Sequence, residues 1–420
     1  MIGRALGIDI GTSGVRAALL SANGAIVGMA SARMAASGED PALPRTWRRA
    51  AFACLAQLRA DCDFSGVRAI AVDGTSGTMV AVDEAGAPVG RALMYDEPCE
   101  DDAIIGRIEA AAPADSAARG RTSALARVLR MQDRANVRRV IHQADWLAGW
   151  LSGRFDRTDE NNALKTGYDP LARCWPDWIA RAGADLAKLP DVFEPGAPVG
   201  PANDEAIRLG LPASAIVHAG TTDGCASFLA TGAAHPGEAV TALGSTLVIK
   251  ILSDRPISAP AYGVYSHRLG DRWLAGGASN TGGKVIAHLF PTADLEALSA
   301  ALKPDKPTGL HFYPLARPGE RFPINDPHLA PRLTPRPADE AEFFQTVLEG
   351  IAEIEALAYR RLRELGAPAL TSVRSVGGGA ANLAWARIRQ RLVGAPFEAA
   401  LSQEACVGTA RLLLSQIVAK

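Results

Sequence analysis

Apolar residues and glycine fill positions 5–10 except at Asp9, and a Gly-Thr-Ser-Gly turn follows at residues 11–14. A second apolar run covers residues 15–20, and Asn23-Gly24 separates it from Ala25-Ile26-Val27. Asn-Gly between apolar runs is the strongest short hairpin signal. The chain therefore opens as strand, turn, strand, hairpin, and not as strand-turn-helix. Glycines at 7, 11 and 14 also miss the G-x-G-x-x-G spacing of a dinucleotide fold.

The pattern then alternates between the two periods. Residues 45–60 carry Trp47, Phe52, Leu55 and Leu58 at helical spacing. Residues 67–72 read as a strand that breaks at Asp73-Gly74-Thr75-Ser76-Gly77 and resumes over 78–82. Residues 99–150 are expected to be mostly helical, with helices over 124–131 and 137–150. Residues 155–215 are polar and turn-rich. A strand leads into Ala219-Gly220-Thr221-Thr222-Asp223-Gly224-Cys225, and a small-residue helix follows over 226–232. Residues 239–250 repeat the opening arrangement of strand, glycine turn and strand, which suggests an old duplication.

Nine prolines between residues 304 and 337 exclude a long helix or central strand and predict an extended surface loop. Residues 338–366 are the clearest amphipathic helix, with Phe343, Phe344, Val347, Leu348, Ile351 and Ile354 on one stripe. A strand over 373–376, the triplet Gly377-Gly378-Gly379, a helix over 382–392 and a buried helix over 405–414 complete the chain. The change of domain is expected near residues 226–237.

Composition bounds the function. The chain has 420 residues, 48% hydrophobic and 21% charged, enough for two domains and a large core. A net charge of -1 without a long basic run argues against a nucleic-acid partner. No apolar stretch is long enough to span a bilayer. The six cysteines show no C-x-x-C and no metal-ligand spacing, and read as buried, reduced thiols of a cytosolic protein. The first strand begins almost at once, which leaves no room for a signal peptide.

Four glycine-bearing turns carry the candidate chemistry. A carboxylate inside an apolar strand is costly unless it has a partner or a task. Asp9, beside a glycine-rich turn, could hold a cation next to phosphate oxygens. Asp223 follows a strand and precedes a helix, as a general base toward a hydroxyl or as a helix cap. Thr75 and Ser76 could bind a polyol or satisfy their own turn. Gly377-Gly378-Gly379 lets a ligand approach the backbone. Asn382 could cap a helix or bond a nucleotide, and Trp385 could lie against a base or pack in the core. Tyr95-Asp96-Glu97 and Trp146 offer aromatic and acidic groups of the kind sugar sites use.

GIDIGTSGVRAALL, AVDGTSGT, GTTDGCASFLATGA, TALGSTLVIK, GGASNTGG and VGGGAAN occur in one order along the chain. In this the chain resembles the FGGY carbohydrate kinases over nearly its whole length. The resemblance implies an α/β fold of two actin-like ATPase (ribonuclease H-like) domains flanking a catalytic cleft. Residues 1–230 would be the sugar-side domain and 231–400 the ATP-side domain. Residues 401–420 would form a C-terminal helix packing back on the first domain. Asp9 resembles the metal-associated Asp, for magnesium. Thr12 and Ser13 resemble the first phosphate turn, and Gly244, Ser245 and Thr246 the second. Gly378, Gly379 and Asn382 resemble the adenosine motif, with Trp385 beside it. Asp223 resembles the catalytic base, with Asp9, Thr12, Thr75 and Ser76 also facing the sugar.

The implied reaction is ATP-dependent phosphorylation of a sugar hydroxyl in the cytoplasm, by a monomer or homodimer. Larger members carry a Trp-x-Asp-x-Arg-like sugar segment. Here residues 94–98 read Met-Tyr-Asp-Glu-Pro, with no Arg close by. The turn at 73–77 lacks the bulky polar residues of glycerol kinase. Compact length and DGTSGT resemble the short ribulose/xylulose kinase-like branch, which puts D-ribulose ahead of D-xylulose. The rival readings are an actin-like ATPase chaperone and a non-catalytic sugar-binding regulator.

Overall fold

Strands β1 (Arg4–Ile10), β2 (Gly14–Ser21) and β3 (Ile26–Arg33) form the antiparallel start of the first sheet, and β4 (Val67–Gly74) lies parallel to β1 on its other side. The computed structural model describes residues 3–34, 40–114 and 116–417. Ile216–His218 continues the sheet beyond β4, and Thr221–Thr222 pairs with the end of β4. The apolar run of β1 has a simple cause: both faces of the strand are covered. Leu6, Ile8 and Ile10 pack into one core with Trp47 and Leu55 of the Pro44–Asp61 helix. Ala5 belongs to a second core with Cys406, Val407 and Ala410 of the Ala405–Leu412 helix. Strands buried on both faces read as near-continuous apolar runs. Gly7 permits that second packing, because a Cβ there would stand 2.2 Å from the Cys406 carbonyl oxygen.

The chain divides into two units. One holds the residues up to Ala230, His267–Gly270 and the residues from Glu404 on; the other holds Thr231–Ser266 and Asp271–Gln403. In the second unit, Arg272–Ser279, Leu247–Ser253, Glu238–Leu243, Ser372–Val376 and Phe397–Glu398 lie side by side in that order. The first two contacts are antiparallel and the next two parallel. The first sheet has the same plan in β3, β2, β1, β4 and Ile216–His218. The suspected duplication is therefore visible as one strand order used twice.

Three expectations change. Residues 137–150 are not one helix: Arg139–His142 is a strand paired with Met79–Val82, and the helix is Gln143–Ser152. The switch has a local cause, since the Asp145 side chain accepts the His142 N–H at 3.1 Å and starts the helix after the strand. The proline-rich 304–337 segment is extended, but its aromatic residues are not on the surface. Phe312, Tyr313 and Phe322 are buried against the Glu340–Glu364 helix and its neighbours. Cys174 is exposed rather than buried.

Candidate active site

The first unit gathers three carboxyls at the ends of parallel strands. Asp9 on β1 is the register partner of Asp73 on β4, and Asp73 in turn pairs with Thr221. Thr222 pairs with Gly74, and Asp223 opens the Asp223–Ala230 helix one residue later. Gly220 permits this approach, because a Cβ there would lie 1.7 Å from the Val72 carbonyl oxygen. Asp223 is partly exposed and its Oδ1 accepts the Gly224 N–H at 2.7 Å. Asp9 is 6% exposed, with its Oδ2 3.5 Å from Nη1 of Arg16.

Asp73 is the residue that sequence reading missed. Its side chain is fully buried, and Thr409 of the Ala405–Leu412 helix donates a hydrogen bond to its Oδ2. Oδ1 has no donor. The Asp9 carboxyl beside it becomes a hydrogen-bond partner only once one of the two acids is protonated. Burial raises the Asp73 carboxyl well above the usual carboxylate range, and the negative charge of Asp9 adds to the effect. Burial raises Asp9 as well, while Asp73 and Arg16 pull it back. The cost argument that singled out Asp9 applies equally to an acid at the end of the 67–74 strand.

The 73–77 turn rests on Gln143. Gln143 Oε1 accepts both the Thr75 N–H at 3.2 Å and the Thr75 hydroxyl at 2.6 Å. Ser76 Oγ is buried without a hydrogen-bond partner among the described residues. The segment read as having no arginine close by has two beside it, Arg91 three residues before Met94 in the sequence and Arg127 in space. Arg127, itself buried, donates to the Tyr95 and Glu97 carbonyls at 2.6 and 2.9 Å, and Arg91 pairs with the Glu97 carboxylate at 2.7 Å. Trp146 belongs to the core, edge-on to Trp47 with its indole N–H on the Gly86 carbonyl. Thr12 and Ser13 are exposed in the turn after β1, closed by the Gly11 N–H on the Gly14 carbonyl at 3.0 Å.

The second unit contains a cavity of about 660 Å³. Gly244, Gly378, Gly379, Asn382 and Trp385 line it, and Leu383, 78% exposed, stands on its wall. Both ends of the Asn382 amide are engaged: Oδ1 caps the Leu383–Val393 helix at the Trp385 N–H, and Nδ2 donates to Ser299 Oγ. Trp385 is 3% exposed and its indole donates to the Leu348 carbonyl at 3.0 Å, so it is a core residue that also forms the cavity wall. Ser245 and Thr246 lie in the turn beyond Gly244, outside the lining.

Among the described residues, no group of three or more His, Cys, Asp or Glu is placed to hold a metal by itself. Magnesium does not need one, since it keeps water and phosphate oxygens and takes one or two carboxylates from protein. The all-oxygen pair Asp9 and Asp73, with one Asp73 oxygen free of any donor among the described residues, fits that chemistry. No helix among the described residues is long and apolar enough to cross a membrane.

Two sheets of one strand order, each with a polar turn after its first strand, define a two-domain actin-like ATPase fold of the α/β class. Residues 239–415 match the model of the FGGY family of carbohydrate kinases, C-terminal domain. The chain is 25% identical over 416 residues to a xylulose kinase of Escherichia coli (strain K12), covering 93% of this chain and 84% of that one. A xyloylose kinase structure from Brucella ovis superposes with a TM-score of 0.86 at 23% identity, covering 98% of this chain and 91% of the other. A Plasmodium falciparum glycerol kinase structure with ADP gives 0.82 at 15% identity, covering 100% and 91%. Residues 239–415 thus carry the C-terminal domain of the FGGY carbohydrate kinases, and the chain is a phosphotransferase acting on a sugar hydroxyl.

Proposed function

We propose that the protein transfers the γ-phosphate of ATP to a hydroxyl of a ketopentose, with D-ribulose preferred to D-xylulose. The observation that carries the chemistry is Asp223: a partly exposed carboxylate at the carboxyl end of a parallel strand, next to the Asp9 and Asp73 positions. Ligands of open α/β sheets collect at those ends. Phosphoryl transfer asks a protein mostly for positioning and charge stabilisation. Asp223 takes the proton from the accepting hydroxyl as the new oxygen–phosphorus bond forms. Thr75 and Ser76 orient the sugar. Thr12 and Ser13, and Gly244, Ser245 and Thr246, supply turn donors to the phosphates.

Asp9, with Asp73 beside it, would hold magnesium, which when bound neutralises phosphate charge. Adenosine occupies the 660 Å³ cavity, its backbone approach given by Gly378 and Gly379. In this reading residues 1–230 serve the sugar, residues 231–400 the nucleotide, and residues 401–420 return to the first domain.

The DGTSGT turn supports a ketopentose, since it carries hydroxyls where bulkier side chains would crowd a pentulose. The names of the relatives support D-xylulose as the second reading. ADP formation over a polyol panel is the test. Turnover with a ketopentose and none with glycerol or gluconate is expected. Peptide-stimulated turnover would favour a chaperone, and no stimulation by any polyol would favour a sugar-binding regulator.

A further inference from the structure

Thr75 and Asp223 are neighbours by register. Thr222 on one strand pairs with Gly74 on β4, and Asp223 and Thr75 are the residues that immediately follow these two paired strand ends. Both are partly exposed. A hydroxyl brought to Asp223 therefore arrives beside Thr75.

Gln143 decides what Thr75 can offer that ligand. The Thr75 backbone N–H only donates, and it faces the Gln143 side-chain amide at 3.2 Å. The amide must therefore present its oxygen there, not its nitrogen. The Thr75 hydroxyl meets the same oxygen at 2.6 Å. A carbonyl oxygen only accepts, so the hydroxyl proton of Thr75 points at Gln143. Only lone pairs remain on the outer side of Thr75 Oγ1. Gln143 is fully buried, and its Nε2 has no partner among the described residues, so no competing bond turns the amide round. A Cβ on Gly74 beside it would stand 3.4 Å from Gln143 Oε1.

We propose that Thr75 is an obligate hydrogen-bond acceptor of the sugar subsite, fixed in that role by Gln143, and so selects a substrate that presents a hydroxyl proton to it. A substrate carbonyl or ether oxygen is refused at this point, which requires the keto group of a ketopentose to face elsewhere. Gln143 is a positioning residue that acts through Thr75. The inference rests on the sugar-kinase reading and adds to it a rule for the ligand's polarity.

Monodeoxy and monodeoxyfluoro analogues of the best polyol test the rule, because fluorine can accept a hydrogen bond but cannot donate one. At one carbon of the sugar, both analogues should lose roughly tenfold in kcat/KM with the wild-type enzyme, the scale of one lost hydrogen bond. Thr75→Val should bring hydroxyl and fluorine within about twofold of each other at that carbon. Gln143→Leu frees the Thr75 proton and should narrow the same gap. Gln143→Glu keeps an accepting oxygen and should keep the gap. If Gln143→Leu does not fold, by circular dichroism, Thr75→Val carries the comparison. A wild-type enzyme indifferent to fluorine at every carbon overturns the proposal, as does a gap that survives both Thr75→Val and Gln143→Leu. Absence of turnover with every unmodified polyol would instead overturn the sugar-kinase reading, and the rule would fall with it.

Discussion

Asp9 and Asp73 are register partners on adjacent parallel strands, and the two acids are held differently. Asp9 has Arg16 within 3.5 Å, whereas Asp73 is fully buried and relies on the hydroxyl of Thr409. A buried acceptor that loses a side-chain donor costs about 1–3 kcal/mol. Thr409→Val, nearly isosteric, should lower stability by that amount in urea unfolding. A change below about 0.5 kcal/mol would mean that Asp73 does not depend on this bond.

Asp9→Asn keeps the size of the side chain and removes the charge that magnesium would meet. It should raise the magnesium concentration needed for half-maximal turnover by about tenfold or more, the effect of losing roughly 1.4 kcal/mol of binding. An unchanged magnesium curve would remove Asp9 from the metal role.

Gly378 and Gly379 should respond oppositely to alanine. A Cβ on Gly378 meets nothing within 4 Å, while one on Gly379 would stand 2.6 Å from the Trp385 ring and 2.9 Å from the Leu243 Cβ. Gly378→Ala should leave the melting temperature unchanged and raise KM for ATP several-fold, because the methyl enters the cavity. Gly379→Ala should destabilise the fold by about 1–3 kcal/mol through overpacking. Equal melting temperatures for the two variants would contradict this description of the wall.

His142 gives a pH signature. Burial holds its imidazole down to about 3, against an ordinary value of 6.5. Between those values the unfolded chain binds a proton that the folded chain refuses. The contribution of His142 to stability is therefore complete above pH 6.5 and declines as pH falls toward 3. His142→Asn should remove that decline, so the wild type should lose about 2 kcal/mol more than the variant between pH 6.5 and 5. The raised acids Asp73 and Asp145 act in the opposite sense in both proteins, so only the difference is diagnostic. Parallel stability curves would show that His142 is protonated in the fold.

The two opening hairpins were legible because each is written locally: Asn23-Gly24 makes one turn, and Gly244-Ser245-Thr246 separates two apolar runs. The Glu340–Glu364 helix was legible because its stripe runs over many turns. Residues 139–142 were misread because a four-residue strand, Arg-Val-Ile-His, runs straight into a helix with no glycine or proline between them. Asp9 and Asp223 stood out beside glycine turns, but Gln143 and Arg127 carry no such mark. Gln143 meets Thr75 across 68 residues and Arg127 meets Tyr95 across 32, and no local pattern records either partner. Trp385 could be assigned to neither the core nor a site because it serves both, buried by Leu348 on one side and bounding the cavity on the other.

The role of Asp223 is tested most directly by ketopentose-dependent ADP release from the wild type and Asp223→Asn at saturating ATP and magnesium. The account predicts turnover with D-ribulose, weaker turnover with D-xylulose, and a fall in kcat of about 10²-fold or more in a variant that keeps its circular dichroism spectrum and melting temperature. A folded Asp223→Asn enzyme that phosphorylates the sugar at near wild-type kcat would contradict it.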